Sequence, residues 1–207
     1  MSSLRKPLVI GLAGGIGAGK SAAAAALADL GCLVSDSDQA AKAELDVPEV
    51  RDALVRWWGP RVLGVGGRID RAQVAAIIFS DPEARRRLEA LVHPRLRAAR
   101  SALIDRAAAL DAPGVVIDAP LLFEAGLDTE CDAVLFIDAP RELRAARVRA
   151  TRGWDEGELE RRERAQFPLE QKRARSSAVI ENAGDERALR AAVRAFLVEL
   201  QTRTERR

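Results

Sequence analysis

The segment Gly14–Ser21 constrains this chain more than any other feature, because it reads Gly-Gly-Ile-Gly-Ala-Gly-Lys-Ser and matches the pattern GxxxxGK[ST] in full. An apolar run, Leu8–Ala13, precedes it and a predicted helix, Ser21–Leu30, follows it, which is the strand–loop–helix context that the pattern requires. Glycines let such a loop curl so that its backbone N–H groups converge, and the following helix N-terminus adds its dipole. The sequence therefore predicts a phosphate-binding loop, which we call the phosphate loop.

The residue types in the phosphate loop indicate a bound nucleoside triphosphate with a metal ion. Lys20 is predicted to be catalytic, because it neutralises β- and γ-phosphate oxygens, and the Ser21 hydroxyl is a hard oxygen ligand for Mg²⁺. A turn that merely joins strand to helix is the alternative, and the agreement of motif, order and flanks argues against it. The residues predicted to bind the nucleotide here are Gly14, Gly15, Ile16, Gly17, Ala18, Gly19, Lys20, Ser21 and Ala22.

Five short apolar runs predict the strands of a parallel sheet. They are continuously apolar rather than alternating, which is typical of strands that are covered on both faces. Helical patterns lie between them, so the predicted fold class is α/β, with a five-stranded parallel sheet flanked by helices. The predicted strands are Leu8–Ala13, Cys32–Ser35, Val115–Ile117, Ala133–Ile137 and Ala178–Ile180.

Two long connections interrupt this order within what we expect to be one domain over residues 1–207. The first, residues 44–113, is helical and predicts an insertion large enough to bind a substrate. Pro94 is expected to end a helix there, because proline lacks the N–H that a helix interior requires. The second connection, residues 140–176, is rich in arginine and predicts a mobile lid. The helices expected in the insertion are Pro48–Trp58, Asp70–Phe79, Asp81–Val92 and Leu96–Leu110.

Charge and cysteine content exclude several classes of protein. The 33 Lys and Arg residues against 31 Asp and Glu give a formal net charge of +2, so we expect neither a nucleic acid nor a membrane as partner. No run approaches the ~20 apolar residues of a membrane span. Cys32 and Cys131 match no metal-ligand spacing, so we expect reduced thiols and a cytoplasmic protein. Both a monomer and a small homo-oligomer stay open.

Carboxylates follow two of the predicted strands. Asp36 and Asp38 come after the second strand, and Asp118 closes the third. Ligands bind outside the carboxyl ends of parallel strands, so these side chains should face the phosphate loop. We assign Asp36 as the base near an acceptor hydroxyl and Asp118 to the metal site, where it holds a Mg²⁺-bound water. Alternatively, Asp36 or Asp38 only caps the helix that starts near residue 39.

Two further features are candidates for substrate binding. His93, the one histidine of the sequence, precedes Pro94 in the insertion and either contacts the substrate or satisfies backbone groups at a helix break. The apolar segment Pro120–Glu124 follows the third strand. It either walls the acceptor pocket, with Leu121 and Glu124 as contacts, or is a buried loop that packs on the insertion.

Arginines of the predicted lid are candidates for catalysis. Arg147 and Arg149 lie close together with Arg152 in the sequence, and guanidinium groups suit the clamping of a transferring phosphoryl group. The alternative for any one of them is a solvated helix face.

Six motifs together resemble those of the dephospho-CoA kinase family, from the first strand to about Gly184. The phosphate loop, with isoleucine between glycines, is the most distinctive of them. In the family, an Asp-Ala-Asp, a His-Pro, a Pro-Leu-Leu-Phe-Glu, a Gln-x-Pro-Leu-x-x-Lys and an Ile-Asp-Asn-x-Gly follow it. The similar segments of this chain are Asp36-Ser37-Asp38, His93-Pro94, Pro120–Glu124, Gln166–Lys172 and Ile180–Gly184.

The resemblance implies transfer of the ATP γ-phosphate to the 3′-hydroxyl of dephospho-CoA, the last step of coenzyme A biosynthesis. It also implies that Asp36 is the base, that Asn182 lies near the adenine, that the insertion holds the acceptor and that the lid closes over ATP. The chain departs from the family pattern at two positions and in one spacing. Ala22 replaces threonine, Glu181 replaces aspartate, and the spacing Arg147–Arg152 is one residue longer, so the arginine that reaches the γ-phosphate stays open.

Two alternative functions remain at this point. Another kinase of nucleoside monophosphates or small metabolites would share the loop and lid, although the length of the insertion favours a bulkier acceptor. A GTPase switch is the alternative from a different class. It is disfavoured because the chain has no Asn-Lys-x-Asp motif, and its DxxG match, Asp111–Gly114, precedes a strand instead of following one.

Overall fold

The computed structural model describes residues 6–206 and contains a sheet of five parallel strands. The strand order across the sheet is β2-β3-β1-β4-β5, so β1 is central. All four neighbouring pairs are parallel. The prediction of an α/β fold with a five-stranded parallel sheet is confirmed, and each strand extends at most one residue beyond its predicted end. The strands are β1 Leu8–Gly14, β2 Leu33–Asp36, β3 Gly114–Asp118, β4 Ala133–Asp138 and β5 Ala178–Glu181.

Helices connect the strands and follow the last one. In residues 6–206 they are α1 Lys20–Asp29, α2 Ser37–Glu44, α3 Pro48–Trp58, α4 Arg71–Ser80, α5 Pro82–Ala109, α6 Arg141–Arg152, α7 Glu156–Arg164, α8 Leu169–Ala174 and α9 Glu186–Glu205. Short 3-10 turns occur at Pro60–Val62, Val65–Gly67 and Leu127–Glu130. None of the helices in this part of the chain is long and apolar enough to cross a membrane.

Alternation along β1 divides the apolar residues between two cores, because successive side chains of a strand point to opposite faces of the sheet. Ile10 and Leu12 join a core that also contains Leu27 of α1 and Val193 of α9. Val9 and Ala13 join the core on the other face, which includes the segment after β3. The sheet is therefore covered on both sides, as its continuously apolar strands predict.

The chain divides into two compact units. The first, the α/β unit, contains residues up to Asp36 and from Leu103 onward, and the second, the helical unit, is Ser37–Ala102. The helical unit has its own core. Within this unit Arg95 of α5 also forms an ion pair with Glu44 of α2, with 2.6 Å between Nε and Oε2. Residues of that core are Val50, Leu54, Val62, Ile69, Val74, Leu88 and Val92.

The expectation that Pro94 ends a helix is wrong. Helix α5 runs without interruption through Pro94 for 28 residues, so the predicted pair Asp81–Val92 and Leu96–Leu110 is one helix. A proline inside a helix removes one hydrogen bond and costs roughly 3 kcal/mol. Packing on both sides of Pro94 outweighs that cost, because Val92 and the partly buried Leu96 belong to the same core. His93 consequently lies inside a helix and not at a break.

Replacing Pro94 by alanine should stabilise the protein. Pro94→Ala restores a backbone donor inside α5, and we expect the free energy of unfolding to rise by about 1–2 kcal/mol, because the entropy gained by the unfolded chain offsets part of the gain. Pro82→Ala is the matched control, since Pro82 begins the same helix, where proline is well tolerated. Urea denaturation of both variants measures the difference, and equal effects at the two positions would contradict a continuous helix.

Candidate active site

The phosphate loop joins the central strand to the first helix. Strand β1 ends at Gly14 and α1 begins at Lys20, so the loop lies at the carboxyl edge of the sheet, where ligands of parallel sheets bind. Its glycines are needed for two separate reasons. Gly14, Gly17 and Gly19 have φ values of 141°, 77° and 103°, which residues with a Cβ rarely adopt.

Close approach of other elements is the second reason. A Cβ on Gly19 would lie 2.2 Å from Nδ2 of Asn182, and one on Gly17 would lie 2.7 Å from the carbonyl oxygen of Arg144. Both distances are shorter than any real contact of a Cβ, so only glycine fits at these positions. The segments that contain Arg144 and Asn182 are therefore packed directly against the loop backbone.

Every carbonyl oxygen from Gly14 to Ala18 accepts a hydrogen bond. Those of Gly14 and Gly15 accept from Nζ of Lys20 at 2.9 and 3.0 Å, and Gly15 also accepts from the Ala18 N–H at 3.2 Å. Arg144 donates to the carbonyl oxygen of Ile16 at 3.3 Å, and Arg147 donates to those of Gly17 at 3.4 Å and Ala18 at 3.3 Å. The side-chain amide of Asn182 also donates to the carbonyl oxygen of Ala18, at 2.8 Å. The loop conformation is thus held by side chains of the loop itself and of two later segments.

Positive charge accumulates at the phosphate loop. The pKa of Lys20 is lowered from 10.5 to about 8, mainly because the amine is buried; the charge of Asp118 works to raise this pKa, and the charges of Lys172, Arg152 and Arg144 work to lower it. Several cations near one buried amine indicate a site built for an anion. A bound polyphosphate would supply the opposing negative charge and favour the protonated form of Lys20.

Two predicted carboxylates end neighbouring strands at the same level of the sheet. Asp36 of β2 is the register partner of Asp118 of β3, and Asp118 is in turn level with Leu12 of β1. Neighbouring strands are ~4.8 Å apart, so both aspartates lie at the edge that carries the phosphate loop. The effect of Asp118 on the pKa of Lys20 places its charge near that amine.

The donor set suits Mg²⁺ bound mainly by phosphates. No group of three or more His, Cys, Asp or Glu side chains that could hold a metal occurs in residues 6–206. Mg²⁺ in phosphate-transfer sites keeps several waters and binds one or two protein oxygens together with substrate phosphates, so no protein cage is required. Ser21 lies in the first turn of α1 and Asp118 lies close to Lys20, and these oxygens fit that kind of site.

The structure separates the two arginines that were predicted to be catalytic. Arg147 reaches the loop, where it also donates to Oδ1 of Asn182 at 3.3 Å. Arg149 points to the surface with its side chain 67% exposed and 3.7 Å from Glu156. Of the two, Arg147 is therefore the one that the fold brings to the phosphate loop, and a catalytic role for either stays a prediction.

The other candidates have mixed surroundings. Asn182 is buried, and both its amide oxygen and its amide nitrogen are engaged with Arg147 and the loop. Leu121 is 45% exposed. His93 lies on α5 in the helical unit, apart in sequence from the loop. Contacts of these residues with a nucleotide or an acceptor stay predictions.

Glu124 belongs to a buried ion pair that sequence reasoning missed. Its Oε1 accepts from Nζ of Lys172 at 2.8 Å and from the Phe167 N–H at 2.8 Å, and Lys172 also donates to Oε1 of Gln166 at 2.9 Å. Burial works to raise the pKa of Glu124, but these hydrogen bonds lower it below its usual value. The side chain of Lys172 is only 2% exposed. Two motifs that are distant in sequence, Pro120–Glu124 and Gln166–Lys172, are thereby joined.

Comparisons with known proteins agree with this geometry. A family model described as dephospho-CoA kinase matches residues 8–187. A curated dephospho-CoA kinase of Thermus thermophilus is 41% identical over 95% of this chain and 93% of its own length. One of Deinococcus radiodurans is 42% identical over 97% of this chain and 96% of its own length.

Solved structures show the same fold. A crystal structure from Thermus thermophilus has a TM-score of 0.80 and 40% identity, covering 95% of this chain and 99% of that one. The dephospho-CoA kinase of Campylobacter jejuni has a TM-score of 0.64 and 22% identity, covering 95% of this chain and 98% of that one.

The central strand of this parallel sheet ends in a phosphate loop, Asp118 ends the adjacent strand β3, and Asp36 ends β2 beyond it, which is the arrangement of a P-loop kinase. The family match over residues 8–187 makes this assignment specific. The chain belongs to the dephospho-CoA kinase family, which carries out the final step of coenzyme A biosynthesis. The predicted family and the prediction of a kinase are both confirmed.

A methyl group on Gly19 should disrupt nucleotide binding. In Gly19→Ala the new Cβ would collide with Asn182 at a φ that alanine avoids, so we expect the KM for ATP to rise at least ~10-fold. Gly126→Ala is the matched control, because Gly126 also has a positive φ, of 68°, but has open space around its Cβ. Its KM should change less than about twofold. Steady-state kinetics would contradict the close packing if both variants behaved alike.

Proposed function

We propose that this chain transfers the γ-phosphate of ATP to the 3′-hydroxyl of dephospho-CoA, giving coenzyme A and ADP. The main support is that a cationic phosphate loop and the carboxylates Asp36 and Asp118, which are opposite each other on β2 and β3, lie at one edge of the sheet. The loop supports binding of a triphosphate, and the carboxylates support activation of a hydroxyl acceptor. Membership of the dephospho-CoA kinase family supplies the identity of that acceptor.

The phosphate side of the reaction rests on the loop and its lysine. Backbone N–H groups of the loop and the α1 N-terminus bind the β- and γ-phosphates, and Lys20 neutralises charge that develops as the γ-phosphoryl group moves. Ser21 would hold Mg²⁺ directly and Asp118 would hold it through a water, and the ion would supply positive charge that offsets the charge of the phosphates. Arg147, which is already at the loop, is favoured over Arg149 as the arginine that contacts the transferred group.

The acceptor side rests on Asp36. Its carboxylate accepts the proton of the 3′-hydroxyl while that oxygen forms a bond to the γ-phosphorus, and the bond from the γ-phosphorus to the bridging oxygen of ADP breaks. We assign acceptor binding to residues of the helical unit, including His93. In the α/β unit we assign Leu121 as an apolar contact of the acceptor, and Glu124 acts mainly by fixing the segment that carries Leu121, because its Oε1 atom already binds Lys172 and Phe167.

Four further assignments complete the proposal. Asn182 contacts the adenine edge of ATP as well as the loop, and segment 140–176 closes over the nucleotide. The chain acts in the cytoplasm as a monomer or a small homo-oligomer. These assignments are supported by the family resemblance and by the placement of Asn182 beside the phosphate loop.

Substrate choice tests the function directly. The purified protein with ATP and Mg²⁺ should release ADP when dephospho-CoA is offered, because the acceptor hydroxyl then meets the base. Nucleoside monophosphates at the same concentration should support at most a few per cent of that rate. A coupled ADP assay measures both. Turnover with a nucleoside monophosphate alone would refute the dephospho-CoA assignment and leave a general P-loop kinase.

Removing the negative charge of Asp36 should slow the chemical step without weakening ATP binding. For Asp36→Asn we expect kcat to fall by ~10²-fold or more, because the amide cannot accept the hydroxyl proton, while the Kd for ATP changes less than about threefold. Asp38→Asn is the neighbouring comparison and should lose less, since Asp38 lies in the first turn of α2, where a carboxylate stabilises the helix. Undiminished kcat in Asp36→Asn would exclude Asp36 as the base.

A further inference from the structure

Arg144 lies beneath the phosphate loop although no motif contains it. Only 5% of the residue is exposed, which is unusual for arginine. It donates from Nε to the carbonyl oxygen of Ala139 at 3.2 Å and from Nη1 to that of Ile16 at 3.3 Å. It also forms an ion pair with Glu163 of α7. One guanidinium group therefore connects the end of β4, the phosphate loop and the second helix of the predicted lid.

Arg144 lies so close to two glycines of the loop that a side chain at either position would collide with it. A Cβ on Gly15 would lie 2.9 Å from Nη1 of Arg144, and one on Gly17 would lie 2.7 Å from its carbonyl oxygen. Apolar packing fixes the same region, because Ile16 shares a small core with Val148 of α6 and Leu159 of α7. The loop is thus bound to the α6–α7 pair through both polar and apolar contacts.

The direction of these contacts matters for anion binding. In a trans peptide the C=O and the following N–H point to opposite sides. A donor that holds the carbonyl oxygen of Ile16 on one side of the loop therefore turns the N–H of Gly17 to the other side. The same reasoning applies to the N–H of Gly19, because Arg147 and Asn182 hold the carbonyl oxygen of Ala18. Convergent N–H groups are what an anion-binding loop requires.

We propose that Arg144 is a positioning residue that holds the phosphate loop, through the Ile16 carbonyl and the Glu163 ion pair, in the conformation that binds the triphosphate. It does not touch the substrate itself. Its effect is to supply part of the ordering of the loop before the nucleotide arrives, so that binding has less conformational entropy to remove. The inference rests on the loop binding a triphosphate and is independent of the acceptor.

The alternative is that the ion pair only joins α6 to α7. The two cases differ once both charges are replaced by apolar side chains. A single Arg144→Met change would leave Glu163 without its main partner, at a cost of several kcal/mol, and is a poor test. Exchanging a buried pair for apolar residues of similar size is often neutral for stability. The double variant Arg144→Met/Glu163→Met should therefore keep the helix packing and lose the donors to the carbonyl oxygens of Ile16 and Ala139.

Binding of inorganic tripolyphosphate, measured by titration calorimetry with Mg²⁺, is the primary readout because this probe has neither base nor acceptor. We expect the double variant to unfold within about 3 °C of the parent, yet to bind tripolyphosphate ~10-fold more weakly and to show a similar rise in the KM for ATP. The KM for dephospho-CoA should change less than about twofold. A merely structural ion pair would leave tripolyphosphate binding unchanged once the fold is intact.

An exposed pair in the same region provides the control. Arg164 and Glu160 form an ion pair on the surface of α7, with side chains 74% and 48% exposed. The double variant Arg164→Met/Glu160→Met removes the same two charges and should bind tripolyphosphate as the parent does. Equal weakening in both double variants would overturn the proposal, because it would indicate a general effect of charge.

A second variant keeps the test decisive if the first double variant does not fold. Arg144→Lys retains a cation for Glu163 but cannot span both carbonyl oxygens, since its ammonium group is one compact donor. We expect a folded protein that binds tripolyphosphate at least ~3-fold more weakly than the parent. Tight binding by folded Arg144→Lys or by the folded double variant would overturn the role of Arg144.

Discussion

The fixed direction of the peptide groups between Gly14 and Ala18 is the constraint on which the site depends. Each carbonyl oxygen in that stretch accepts a hydrogen bond, and the donors come from Lys20, the Ala18 N–H, α6 and the residue that follows β5. Buried backbone groups need partners in any protein. Here the choice of partners also decides which side of the loop presents N–H groups to a phosphate. Catalysis by electrostatic preorganisation begins with that choice.

The sheet places the two candidate carboxylates, Asp36 and Asp118, at the same edge as the phosphate loop. Because β1 is central and β3 is its neighbour, the loop that follows β1 and the aspartate that ends β3 start from adjacent positions, and β2 adds its own aspartate at the same level. Burial of β1 on both faces fixes its register. A slip of one residue would exchange the side chains that pack in the two cores and disrupt the fit of both. Packing far from the chemistry therefore sets the relative height of loop and carboxylates.

Much of this arrangement could be predicted from the sequence, because the signals are local. Apolar runs located the strands within a residue of each end, and helix Pro48–Trp58 has the predicted bounds. The phosphate loop was found from its motif alone. The break at Pro94 was a wrong prediction for the opposite reason. Local propensity favours an end there, while the helical unit stabilises a continuous α5 by contacts between residues distant in sequence.

The buried cations Arg144 and Lys172 were not recognised because composition does not distinguish a solvated arginine or lysine from a buried one. Helix phase holds a weak signal. Arg144 lies four residues before the buried Val148 and so shares its face of α6, and Lys172 lies three residues after the partly buried Leu169 on α8. Their partners, Glu163 and Glu124, are distant along the chain, so only the tertiary structure shows that the charges are compensated.

Lys20 stabilises the first residues of its own loop, since its amine donates hydrogen bonds to the carbonyl oxygens of Gly14 and Gly15. The same amine is the group to which we assign contact with the nucleotide phosphates. Replacing Lys20 by an uncharged residue removes these two hydrogen bonds together with the positive charge, so a single such replacement changes the loop conformation and the charge of the site at once. The loop conformation and the proposed neutralisation of a phosphate thus depend on the same ammonium group of Lys20.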